Sequence, residues 1–295
     1  IVIFFKGMFM SNREIMEYDV VIVGAGPSGL SAAIKLKQLS KEADKDLSVC
    51  VVEKGSEVGA HILSGAVIET KALDELIPDW KTRNCPLKTK ANEDKFLYLT
   101  KTKSYQLPTP PQMHNEGNYI ISLSDFTKWL AEQAELLEVE IYPGFSASEV
   151  LFNDKNKVIG IATCDMGRLK DGSEGPNFEQ GIELHSKQTI FSEGCRGHLG
   201  KTLIQKFNLD AESSPQTYGI GIKELWEILP EKSNPGNILH TTGWPLKSDT
   251  YGGSFLYHLD KNKISIGFVI GLDYKNPYLS PYMEFQRFKH HPDIK

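Results

Sequence analysis

The stretch Tyr18–Leu39, YDVVIVGAGPSGLSAAIKLKQL, decides the fold. Val20–Val23 is a continuous apolar run rich in β-branched residues, as expected of a strand covered on both faces in a parallel sheet. Gly24, Gly26 and Gly29 follow at G-x-G-x-x-G spacing. The first glycine permits a tight turn, the second lets backbone approach a pyrophosphate, and the third lets the next helix pack closely on the strand. Pro27 falls where a helix starts and its missing N–H costs little. Leu30, Ala33, Ile34 and Leu36 then recur at helical spacing through Leu39, so the free N–H groups and dipole of the helix start face the turn. That arrangement is an anion site, with Gly24, Ala25, Gly26, Pro27, Ser28 and Gly29 as its candidate residues.

A lone glycine turn is weak evidence, and its context strengthens it. A polar stretch, Ser40–Asp46, leads to a second β-rich run, Leu47–Val52, which ends at Glu53 and Lys54. Glu53 stands where the βαβ dinucleotide fold places the carboxylate that accepts from the adenosine ribose. Taken alone, it reads equally well as a solvated strand end. The chain has 295 residues, 40% hydrophobic and 24% charged, which is ordinary globular composition, and its net charge of −5 gives no electrostatic reason to expect nucleic acid. Cys50, Cys85, Cys164 and Cys195 lack C-x-x-C spacing, so neither a disulfide framework nor a metal or iron–sulfur site is readable, and an intracellular setting is expected.

The order of elements separates one dinucleotide from another. A helix is expected from Ser124, with Phe126, Trp129, Leu130, Ala134 and Leu137 on one stripe. A strand ending at Pro143-Gly144 follows, then β-like runs at Ala147–Phe152, Lys157–Asp165 and Gly181–His185, with Met166–Gln180 read as a loop. Another strand, Gln188–Phe191, ends in Ser192-Glu193-Gly194 before a helix from about His198. A nicotinamide dehydrogenase would continue in regular βα units. A meander returning to a strand that ends in acidic residue and glycine fits the glutathione-reductase-like FAD-binding Rossmann fold, an α/β fold with α+β elements, and adds Glu193 and Gly194 to the FAD candidates. FAD is favoured over NAD.

Several phrases together closely resemble the electron-transfer flavoprotein:ubiquinone oxidoreductase family: VCVVEKGSEVGAHILSGAVIE, QAELLEVEIYPGFSASEVLF, TIFSEGCRGHLGKTL, PQTYGIGIKELWEI, TYGGSFLYHLD and GLDYKNPYLSPYMEFQRFKHHP, beside the glycine turn. The resemblance runs from about Met16 to the last residue. It implies an iron–sulfur flavoprotein, with FAD and a [4Fe-4S] cluster, that takes electrons from reduced electron-transfer flavoprotein and delivers them to ubiquinone. It also implies a monotopic protein on the bacterial inner membrane's cytoplasmic face or the mitochondrial inner membrane's matrix face. On this reading the cluster ligands and one side of the FAD site lie beyond Lys295, and the chain alone binds FAD poorly.

The expected organisation is an extension at 1–15, read ahead of a start at Met8, Met10 or Met16; an FAD-binding βαβ unit at 16–80; an excursion at 81–123; the helix, meander and second FAD segment at 124–207; and an inserted quinone-binding domain at 208–295. Within 60–80, Ile62 and Leu63 precede Leu73, Leu76, Ile77 and Trp80, which share one helical face. Pattern alone favours packing on the protein's own core. The resemblance implies a leaflet-contacting segment. Gly252 and Gly253, beside Tyr251, Phe255 and Tyr257, read on pattern as a strand with a glycine bulge, and by resemblance as the quinone-headgroup contact. No acid, base, nucleophile or metal ligand is assigned, and His61, His198, His258, His290 and His291 are left as packing or surface residues. Three alternatives stay open: an FAD hydroxylase or isoprenoid-lipid reductase of similar fold, a non-catalytic lipid- or partner-binding domain, and a nicotinamide dehydrogenase.

Overall fold

A computed structural model describes residues 13–63 and 66–295. Contacts divide the chain into two units, residues 1–61 with 130–211 and residues 62–129 with 212–295. The expected extension at 1–15 lies, for residues 1–12, outside the described residues. Ile15 already belongs to the first strand.

Along the chain come β1 (Ile15–Val23), α1 (Pro27–Glu42), β2 (Val49–Glu53), β3 (Ala66–Ile68), α2 (Lys71–Leu76) and β4 (Thr89–Lys90). β5 (Glu93–Leu99), β6 (Ser104–Leu107), β7 (Tyr119–Ile121) and α3 (Leu123–Glu135) follow. Next are β8 (Glu140–Pro143), β9 (Ala147–Phe152), β10 (Val158–Thr163), β11 (Met166–Arg168), β12 (Glu174–Glu179) and β13 (Glu183–Phe191). Last are α4 (His198–Phe207), β14 (Gly219–Glu227), β15 (Asn237–Gly243), β16 (Gly252–His258), β17 (Lys263–Gly271) and α5 (Pro281–Lys289).

The first unit is built on a six-stranded sheet of order β8-β2-β1-β13-β10-β9. β8, β2, β1 and β13 run parallel, and β10 and β9 pair antiparallel as the meander. The all-apolar end of β1 is buried at the sheet's centre, as its lack of alternation requires, and Leu30, Ala33 and Ile34 of α1 are buried with it. Three expectations change. The runs at Gly181–His185 and Gln188–Phe191 are one strand, because β13 pairs with β1 in one register from Glu183 to Phe191, across Ser186 and Lys187. Met166–Gln180 is not a loop but the hairpin β11–β12, held by an Arg168–Asp165 ion pair and by Arg168 over the Phe178 ring. The helix α3 also starts earlier than expected: Ser122, not Ser124, caps it, its hydroxyl accepting from Asp125 N at 3.3 Å.

The second unit carries a six-stranded sheet of order β14-β17-β16-β15-β5-β6, antiparallel except at β15–β5, and a small sheet β3-β7-β4. Strands of the expected excursion are thus integral, β5 and β6 completing the sheet that β14–β17 begin. α5 covers one face, where Phe285 and Phe288 are fully buried against Phe268, Leu99, Leu256, Ile266 and Ile270.

The segment 62–80 also departs from its membrane-contact reading. The helix stops at Leu76, since Pro78 drives the preceding Ile77 out of the helical region (φ −136°, ψ 78°). Leu73, Ile77 and Trp80 are all under 5% exposed; Trp80 donates from Nε1 to Asp74 Oδ1 at 2.7 Å and meets the Tyr119 ring edge-on at 5.9 Å. The face that periodicity revealed turns into the chain, so these three are removed as lipid contacts, while Leu76 and Ile62 are half-buried and Leu63 exposed. Leu73→Ser with Ile77→Ser is expected to lower stability by at least about 2 kcal/mol, the scale of one large core truncation, read from denaturant midpoints. A double variant of unchanged midpoint that leaves the membrane fraction would restore them as lipid contacts. No helix among the described residues is long and apolar enough to cross a membrane.

Candidate functional site

Register brings three loops of the first unit to one edge of its sheet. Val23 of β1 lies beside Val52 of β2 and Phe191 of β13, so the glycine turn, Glu53-Lys54 and Ser192-Glu193-Gly194 all leave the carboxyl ends of parallel strands together. This is where open α/β sheets bind their ligands. Gly24 N donates to Val52 O and Ser192 N to Val23 O, each at 2.8 Å, which pins the turn between its neighbours.

The three glycines differ in what excludes a side chain. Gly24 has φ +103°, and a Cβ there would come within 2.5 Å of Ser192 O. A Cβ on Gly29 would overlap the carbonyl oxygen of Gly24, the close helix–strand packing inferred for the third glycine. Around Gly26 there is nothing within 4 Å. Packing therefore explains two of the glycines and not the middle one, whose open cradle faces a helix start with no side-chain cap and no acidic residue in its first turn. Those features fit a bound pyrophosphate. Ser28 and Lys54 are exposed beside it, and Ala25 is buried.

Glu53 accepts from Ala25 N at 3.0 Å through Oε2 and from Gly55 N at 2.7 Å through Oε1. It braces the turn from within, and each carboxylate oxygen keeps a lone pair for a ribose hydroxyl. This bracing was not readable from sequence. Glu193 is committed elsewhere: Oε1 accepts from His198 N and Leu199 N, both at 3.0 Å, and Oε2 from Gly200 N at 2.7 Å. Its carboxylate fills the start of α4, the anion position that stays open on α1. Gly194 follows at φ +82°, where a glycine is required by the backbone, with nothing within 4 Å of a Cβ.

In the second unit, Gly252 and Gly253 stand at the start of β16. A Cβ on Gly252 would overlap Val269 O, and one on Gly253 would lie 2.6 Å from Thr241 O. The space a side chain would take belongs to neighbouring strands and not to a ring, and neither glycine has positive φ. Toward β17 both glycines are paired, with Ile270 and Val269, while on the other side β15 pairs with β16 only from Ser254 onward, so what the pair offers is backbone on its β15 side. Farther along the same face, Phe255 and Tyr257 stack with centroids 4.7 Å apart, and Tyr257 Oη lies 3.0 Å from His240 Nε2. Seventeen residues separate that last pair, and no local sequence signal joins them.

Cys50 and Cys85 are buried, their thiols pushed up to about 12 and about 11 by desolvation, while Cys164 and Cys195 are exposed. No cluster of three or more possible metal ligands occurs among the described residues. A raised thiol pKa disfavours the thiolate that iron binding needs, so buried Cys50 and Cys85 do not fit an iron–sulfur cluster.

Comparison with known proteins identifies the family. Residues 218–295 match the family described as ETF-QO, ubiquinone-binding, and residues 3–76, which contain the glycine turn, match the Thi4 family. The chain is 61% identical over 283 residues to the mitochondrial electron transfer flavoprotein-ubiquinone oxidoreductase of Dictyostelium discoideum, covering 96% of this chain and 47% of that protein. It is 57% identical over 289 residues to the Pseudomonas aeruginosa protein of the same name, covering 96% of this chain and 52% of that one. Among solved structures, a geranylgeranyl bacteriochlorophyll reductase-like protein from Thermoplasma acidophilum superposes with a TM-score of 0.66 at 16% identity, over 95% of this chain and 63% of that one, a likeness of fold alone. Spanning about half the length of the curated relatives it matches, this chain belongs to the electron transfer flavoprotein-ubiquinone oxidoreductase family.

Proposed function

We propose that the full-length protein is an FAD-dependent oxidoreductase that passes electrons from reduced electron-transfer flavoprotein to ubiquinone at a membrane surface. This chain contributes the FAD turn and part of the quinone site. The observation that carries the reading is 61% identity, over 96% of the chain, to a relative bearing that name. Mitochondrial and bacterial relatives support a mitochondrial or bacterial setting; the family resemblance implies the inner membrane, at its matrix or cytoplasmic face respectively.

A bound flavin supplies the electron chemistry, and the chain's residues bind and orient. The backbone at Gly24–Gly29 and the open start of α1 hold the pyrophosphate, with the Ser28 hydroxyl beside it. Glu53 accepts from the adenosine ribose while bracing Ala25 and Gly55. Lys54 and Gly194 flank this edge of the sheet, and Glu193 fixes α4 behind it. Gly252 and Gly253 meet the quinone headgroup through the backbone left free beyond the β15 ladder. Cys50 and Cys85, buried and with raised thiol pKa values, are not ligands of the iron–sulfur cluster that the family resemblance implies.

Glu53→Ala in the full-length protein is expected to weaken FAD binding by about 1.5–3 kcal/mol, the scale of a charge-assisted hydrogen bond, read by titrating the apoprotein. Unchanged affinity would remove Glu53 from the site. The function itself is tested by mixing the anaerobic flavin-loaded protein with reduced electron-transfer flavoprotein and ubiquinone-1. Quinone reduction that needs both the donor and this protein is the expected result; oxidation of NADPH with a phenol or prenyl lipid, and none with the flavoprotein donor, would replace the proposal.

A further inference from the structure

The edge strands of the two large sheets are not alike. β8 has four residues and ends at Pro143, β6 has four residues, and β9 meets β10 through two register shifts. Short length, proline and bulges are devices by which folded chains keep an edge from pairing. β14 has none of them: nine residues without proline run in one register with β17, from Gly219 opposite Gly271 to Glu227 opposite Lys263.

The ladder fixes which backbone groups this edge presents. Leu272 N donates to Tyr218 O and Ile228 N to Asn262 O, each at 2.8 Å, one step beyond either end of the paired stretch. Bonded and non-bonded pairs alternate in an antiparallel ladder, so the even-numbered residues of β14 turn their N–H and C=O groups to β17. Those of Gly219, Gly221, Leu225 and Glu227 turn the other way, where β14 has no neighbouring strand among the described residues.

The side chains do not defend the edge either. Ile220, Leu225 and Trp226 are exposed, and so are Tyr218 and Leu229 to either side of the strand. Two of its charges are spent within the unit: Lys289 Nζ donates to Glu224 Oε2 at 2.7 Å, and Lys223 Nζ sits 5.6 Å from the centroid of the Phe255 ring. A Cβ on Gly219 would lie 3.4 Å from Ile270 O and Val269 Cγ1, and one on Gly221 3.7 Å from Val269 Cγ2. Those are ordinary contacts, and neither glycine has positive φ, so the sheet itself does not require glycine at either place. Glycine inside a strand marks a close approach by another backbone.

We propose that β14 is an interior strand of the full-length protein, paired along its outer edge with a strand from the polypeptide outside residues 1–295. The length of the relatives names this occupant. The chain spans about half of them, so a comparable length of polypeptide belongs to the same molecule. Tethering gives that segment an effective concentration that a second copy in solution does not reach. The added strand takes up the outward N–H and C=O groups, covers Ile220 and Leu225, and places larger side chains over the gaps at Gly219 and Gly221. The proposal rests on membership of the family and is independent of the electron transfer proposed above.

The test is amide hydrogen exchange, read residue by residue, on full-length protein at a concentration where its mass is that of one chain. The N–H groups of Gly219, Gly221 and Leu225 are expected to exchange within about tenfold of those of Ile220, Ile222 and Trp226, since both sets then lie in ladders of one sheet. Exchange of the first set more than about tenfold faster than the second would show an open edge and overturn the proposal. A photoreactive side chain placed at the exposed Leu225 identifies the occupant. The cross-linked peptide is expected to come from the same chain, outside residues 1–295. Cross-links confined to residues 1–295, to a second copy or to lipid would overturn it, and so would protection of the first set found only in a species of doubled mass.

Discussion

Gly26→Ala is expected to fold like the wild type and to lose FAD, whereas Gly29→Ala is expected to lose the fold itself. The contrast follows from what each added methyl meets. At Gly29 it overlaps the Gly24 carbonyl, a backbone atom held between β2 and β13, so neither partner yields cheaply. A cost of about 3 kcal/mol or more is expected, the upper range for overpacking, and thermal or denaturant unfolding reads it. At Gly26 the methyl meets nothing within 4 Å. It enters the space reserved here for the pyrophosphate, so apoprotein stability stays within about 0.5 kcal/mol while FAD affinity drops at least about tenfold. Equal affinity in Gly26→Ala and wild type would mean that the cradle holds no phosphate.

Glu193→Ala is expected to lower stability by about 2–4 kcal/mol without a matching loss of FAD affinity measured on the folded fraction. The carboxylate accepts three backbone N–H groups at the start of α4, a helix with no side-chain cap of its own. Removing it strands those donors and the positive end of the helix together. Hydrogen exchange at His198–Gly200 should quicken in the variant. If Glu193→Ala instead leaves the unfolding midpoint in place and sheds FAD, the carboxylate belongs to the cofactor.

These two results would also separate what sequence can and cannot carry. The unit β1–turn–α1–β2 was legible because its signals are local: an unbroken apolar run, glycines at fixed spacing and an acidic strand end. Glu53 was legible as a site residue for the same reason, but its bracing of Ala25 depends on β2 lying beside β1 in register. Glu193 was placed at the correct strand end, but its bonds to the start of α4 were not legible. Its partners lie five to seven residues on, and only the fold of the Gly194–Gly197 turn returns them.

Leu73, Ile77 and Trp80 were misread for a different reason. A helical stripe reports that one face is apolar, not what covers it, and Pro78 had already limited the helix. The β11–β12 hairpin escaped notice because its strands are polar and carry Gly167 and Gly175, which sequence reading assigns to loops. For Gly252 and Gly253 the position was readable but the cause was not: strand neighbours, invisible in one dimension, occupy the place of their side chains.

The account stands on the glycine turn holding FAD, and the nucleotide itself gives the most direct test. Full-length protein is purified, denatured with acid, and the released nucleotide identified and counted by chromatography against protein concentration. One FAD per chain is the predicted result, falling well below that in Gly26→Ala; release of NAD(P), or of no dinucleotide at all from folded protein, would contradict it.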